Sequence, residues 1–98
     1  MDYKVIWTDE AIADLRQLVV FISKHNPDAA VKFGETIVRK SLILSSHPRL
    51  GRRLKMSPTD LMREVGISPY RMVYEIDDQA RVIYIRLLWH GSRQEPEF

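Results

Sequence analysis

The chain has 98 residues, a formal net charge of +2 at pH 7 and no cysteine. That length holds one domain with one core, and the missing cysteines exclude disulfides, thiol nucleophiles and cysteine-rich zinc sites while fitting a reducing compartment. No apolar run approaches the roughly 20 residues that span a bilayer, and MDYKVIW is too short and too mixed in charge for a signal peptide, so no membrane association and a cytoplasmic location are expected.

Tyr3, Val5 and Trp7 alternate with Lys4 and Ile6, which predicts a short first strand. Thr8 then offers an N-cap hydroxyl, and Asp9 and Glu10 place negative charge on the first helical turn, where the backbone dipole favours it. Ala11, Ile12, Leu15, Leu18, Val19 and Ile22 recur at steps of three and four, as in an amphipathic helix. His25-Asn26-Pro27 ends it and starts a second, because Asn26 can cap and Pro27 suits the first helical position. The second helix runs to about Ser46 with two apolar stripes, one of Ala30, Phe33, Ile37, Ser41 and Leu44, the other of Val31, Val38 and Leu42. So short a turn makes the two helices an antiparallel hairpin.

His47-Pro48 closes the helical part, and a polar connection through Gly51 and Ser57-Pro58 follows. A brief strand is expected from Leu61 to Val65, then a tight link and two alternating runs, Tyr70 to Ile76 and Val82 to His90, folded back at Asp77 to Ala80 as a β-hairpin. Period-two alternation turns Tyr70, Met72, Tyr74, Ile76, Ile83, Ile85, Leu87 and Trp89 inward, and Arg71, Glu75, Tyr84, Arg86 and His90 outward. The expected class is α+β, in the order β-α-α-β-β-β, with the helical hairpin on one face of an antiparallel or mostly antiparallel sheet. Pattern alone leaves open where the first strand joins.

Charge is unevenly placed. Arg49, Arg52, Arg53, Lys55 and Arg63 stand against Asp60 alone, and Arg71, Arg81, Arg86 and Arg93 follow. This points to a face that meets a polyanion or an acidic protein, with a merely solvated basic loop as the alternative. The aromatic residues Trp7, Trp89, Phe21 and Phe33 fall in apolar phases and read as core, whereas outward Tyr84 reads equally as a stacking platform or a cross-strand partner.

The histidines His25, His47 and His90 lack the spacing of a helical zinc motif, so no metal is expected. The glycines are isolated, and Ser92 beside His90 lacks the context of a nucleophile elbow, so neither a phosphate-cradling loop nor a serine triad is indicated. No cofactor is implied. The hairpin end gathers Arg71, His90 and Arg93, a composition that permits metal-free RNA cleavage: a histidine to exchange protons, and guanidinium groups to hold the charge that builds on phosphorus. The same residues also suit a protein-binding sheet edge, and Arg71 has Glu64 or Glu75 as alternative partners.

Taken in order, VIWTDEAIADL, AAVKFGETI, HPRLGR, MREV, PYRMVYEI and LLWHGSR resemble the RelE/ParE superfamily of toxins from bacterial type II toxin-antitoxin pairs, over almost the whole chain. The resemblance implies a single toxin domain over residues 1–98 and a cognate antitoxin that wraps and neutralises it, encoded beside it in a bacterium or on its plasmid. It also makes operator DNA a ligand to test for the toxin-antitoxin complex. RelE-like members cut mRNA on the ribosome, and Arg71 and Arg93 match their strand and C-terminal arginines, with His90 where some relatives carry a catalytic histidine. Met62 and Glu64, however, flank Arg63 where RelE carries lysines, and no tyrosine follows Arg93. ParE-like members inhibit DNA gyrase without a nuclease site, and the long helical hairpin and HPRLG connection look more like theirs. The expected function is therefore growth arrest through gyrase, with Arg49, Arg52, Arg53, Lys55, Arg63, Tyr84 and Arg86 as contacts. The alternatives are a ribosome-dependent endoribonuclease using Arg71, His90 and Arg93, and an inactive binding module.

Overall fold

Two side chains punctuate the helical part as the sequence predicts. The Thr8 hydroxyl accepts from the Ala11 amide (3.2 Å) and donates to the Ile85 carbonyl (2.8 Å), tying the first helix to the sheet; the Asn26 side chain accepts from the Ala29 amide (3.1 Å). The computed structural model describes residues 2–91. Its elements are β1 (Lys4–Trp7), α1 (Asp9–Ser23), α2 (Pro27–Ser46), β2 (Arg52–Arg53), β3 (Met62–Ile67), β4 (Tyr70–Asp77) and β5 (Val82–His90). No helix among the described residues is long and apolar enough to cross a membrane.

The sheet order is β1-β5-β4-β3-β2. β3, β4 and β5 form the expected meander, but β1 adds to β5 in parallel, with Lys4 opposite Val82 and Trp7 opposite Ile85, so the sheet is mixed. The two-residue β2 pairs antiparallel to β3 and closes the far edge. Its residues lie in the connection read from sequence as irregular, because two arginines carry no strand signal of their own.

The core lies between the helical hairpin and one face of the sheet. Ala11 and Ile37 and Leu44 from the helices meet Met72, Tyr74, Ile76, Ile83 and Ile85, all buried. The neighbouring stripe of α2 behaves differently: Val31, Val38 and Leu42 face outward.

One irregularity reorders the surface. Val73 pairs with Leu87 but Tyr74 pairs with Ile85, leaving Arg86 as an extra residue in a β-bulge. A one-residue insertion reverses the alternation beyond it. Before the bulge, Ile83 and Ile85 face the core as expected. After it, Leu88 is buried and His90 pairs with Tyr70 on the helix-facing side, while Leu87 and Trp89 share the outer face with Val73 and Arg71. Inward Leu87 and Trp89 and outward His90 are thus corrected. Phe21 is a second correction, 58% exposed rather than core, since it sits on the flank of α1 near the helical turn.

Candidate functional site

The bulge separates the two residues on which an RNA-cleaving corner depends. His90 stacks edge-on against Tyr70, ring centroids 5.5 Å apart, and Tyr70 in turn meets Phe33 of α2 at 5.3 Å. Arg71 pairs with Trp89 across the ladder and belongs to the opposite face. They occupy one end of the strand pair, but the sheet lies between their side chains. Arg93 lies outside the described residues.

On the outer face, Glu64 is the organising group. Its side chain is fully buried, and its Oε1 accepts from Arg52 Nε at 2.7 Å and lies 3.6 Å from Arg71 Nη1. Its Oε2 has no hydrogen-bond partner. The carboxylate thus draws on both guanidinium groups from the buried side. Of the two alternative partners read from sequence for Arg71, the structure selects Glu64. Glu75 instead binds Arg86 at 2.9 Å and stands opposite Tyr84, which makes Tyr84 a half-buried cross-strand partner.

The remaining basic residues divide into internal ties and outward charges. Arg63 is mostly buried and donates to the carbonyls of Asp60 (2.8 Å), Gly51 (2.8 Å) and Arg49 (3.4 Å), so it braces the connection from below. Arg49 bridges Asp60 and Asp78, each at 2.9 Å. Hydrogen bonding to Asp78 and then Asp60 raises its pKa further, and hydrogen bonding to Arg49 holds both carboxyls below their ordinary range. Tyr3 donates to the same Asp78 at 2.6 Å, which raises its own pKa. Arg53 and Lys55 stay exposed and pair with no carboxylate among the described residues.

Tyr74 completes the brace, a role its alternation pattern hides. Its buried hydroxyl donates to the Pro48 carbonyl (2.7 Å) and accepts from the Gly51 amide (2.9 Å), and burial raises its pKa. Gly51 is required there, since a Cβ would collide with the Glu64 carbonyl and come within 2.8 Å of the Tyr74 hydroxyl. The second apolar stripe read from the sequence of α2 opens here as an apolar groove of about 890 Å³ along the outside of the helical hairpin, floored by Gly34 and lined by Val31, Val38, Leu42 and Ile43.

This architecture can be compared with known proteins. The family model described as the ParE toxin of the parDE type II toxin-antitoxin system matches residues 5–95. The chain belongs to the ParE toxin family. Toxin RelE1 of Caulobacter vibrioides is 23% identical over 94 residues, covering 96% of this chain and 99% of that protein. Among solved structures, the RelBE2 toxin-antitoxin complex of Mycobacterium tuberculosis matches at 25% identity and a TM-score of 0.65, covering 92% of this chain and 99% of its counterpart. The chromosomal ParDE system of P. aeruginosa matches at 20% identity and a TM-score of 0.70, with coverage of 90% and 95%. This ParE-family chain is therefore a toxin of a type II toxin-antitoxin system, and a cognate antitoxin is its partner. Its hairpin, mixed sheet and braced connection are the parts from which its action has to be explained.

Proposed function

We propose that this toxin arrests growth by binding DNA gyrase in the cytoplasm, as a protein ligand rather than a nuclease. The observation that carries the reading is the placement of Arg71 and His90 on opposite faces, with Arg71 held by the buried Glu64. Metal-free RNA cleavage needs proton transfer and phosphate stabilisation at one reacting group. Those two residues do not converge on such a point, and a buried carboxylate repels a phosphate from the arginine pair. The antitoxin, in the same reading, lays an amphipathic helix in the hairpin groove, where Val31 (60% exposed) and Leu42 (61%) offer apolar anchors at helical spacing.

The test is a parallel assay of the purified chain on gyrase supercoiling of plasmid DNA and on mRNA bound to translating ribosomes. Inhibited supercoiling with intact mRNA is expected. Discrete cuts in the mRNA with supercoiling unaffected would replace this reading by the ribonuclease one.

A further inference from the structure

The connection between α2 and β3 carries exposed apolar side chains. Leu50 is 58% exposed and Met56 is 67% exposed, with Arg52, Arg53 and Lys55 exposed between them and Leu54 buried as the anchor beneath. The strip is short and turns at Lys55 and Met56, where the Ser57 amide donates to the Leu54 carbonyl at 3.2 Å, so it forms part of one side of an ordinary interface. It is held rigidly for a segment with so little regular structure. Tyr74 and Arg63 grip the backbone of Gly51, β2 pairs with β3, and the Leu54 amide donates to the Met62 carbonyl at 3.0 Å. A surface fixed before contact loses less conformational entropy on binding.

We propose that Leu50 to Met56 is a docking strip for an acidic protein surface with apolar recesses, carried by the toxin's target; this rests on the gyrase reading above. Charge complementarity selects the partner, because no carboxylate among the described residues compensates Arg53 or Lys55. Arg53 donates instead to the Ser57 carbonyl at 3.1 Å, which fixes its guanidinium without neutralising it. The apolar ends select protein over nucleic acid. Leu50 and Met56 desolvate well in a pocket, whereas the strip carries no aromatic ring on which a base could stack.

Two double variants, Arg53→Glu with Lys55→Glu and Leu50→Asp with Met56→Asp, test it against wild type. All are compared by circular dichroism, inhibition of gyrase supercoiling, antitoxin affinity and affinity for duplex DNA. Each folded variant is expected to inhibit gyrase about tenfold less or worse, as loss of central charged or apolar contacts does, with antitoxin and DNA affinities unchanged. Inhibition equal to wild type in both variants would overturn the strip alone and leave the gyrase reading standing. Antitoxin or DNA affinity falling in step with inhibition would overturn it in favour of that other occupant. A wild-type chain without effect on supercoiling would overturn both.

Discussion

The helical hairpin and the connection that follows it solve opposite problems. The hairpin is regular, with its backbone order set by its own helical turns, and leaves an apolar stripe of Val31, Val38 and Leu42 outside. The connection has only the two-residue β2 as regular structure. It borrows its order from Tyr74, Arg63 and the Arg49 bridge, and presents cations framed by Leu50 and Met56. One surface invites an apolar helix and the other an acidic protein. The difference teaches that rigidity here comes from where backbone groups find partners and not from secondary structure as such.

Glycine substitution sharpens the contrast most. Gly51→Ala in the connection drives a methyl group into the Glu64 carbonyl, and we expect a loss of about 1–3 kcal/mol, as for other overpacked sites. Gly34→Ala in α2 meets nothing within 4 Å, and is expected to stabilise the isolated chain by about 0.5–1 kcal/mol. Denaturant unfolding of the two variants checks both signs. Equal effects would mean that the connection is not braced as described.

Acid should loosen the connection before the hairpin. Asp60 and Asp78 titrate below the ordinary value of 3.8 because Arg49 binds their charged forms. Their contribution is therefore complete above that value and fades as pH falls through the depressed folded values. Both carboxyls are exposed, so the effect on global stability is small. Carboxyl chemical shifts followed by NMR should give midpoints below 3.8 for both, and a rise of both in Arg49→Ala, smaller at Asp78 where Tyr3 still donates, would fix the cause.

Much of this fold was legible because caps and periodicities are local. Thr8, Asn26 and Pro27 placed the helix boundaries, and Ala30, Ile37, Ser41 and Leu44 traced the buried stripe of α2. The site was less legible because its geometry turns on a single inserted residue. Nothing in VIYIRLLWH marks Arg86 as a bulge, since both phases of Leu87-Leu88-Trp89 are apolar, and only the pairing with β4 shows that His90 turns toward the helices. Glu64, beyond its pairing with Arg71, and Tyr74 were hidden for a related reason. Their partners, Arg52 and Gly51, lie 12 and 23 residues away, and long-range contacts of this kind leave no periodic trace. The parallel placement of β1 depends equally on a partner at the other end of the chain.

The central claim is that neutralisation and target binding use separate surfaces. It is tested most directly by the growth of cells that carry the antitoxin and express the toxin with Val38→Asp and Leu42→Asp, two exposed positions in the groove. Growth arrest despite the antitoxin is the predicted result, because the variant keeps its connection intact while its groove no longer accepts an apolar helix. Full rescue of growth by the antitoxin, with the variant still toxic in its absence, would contradict the account.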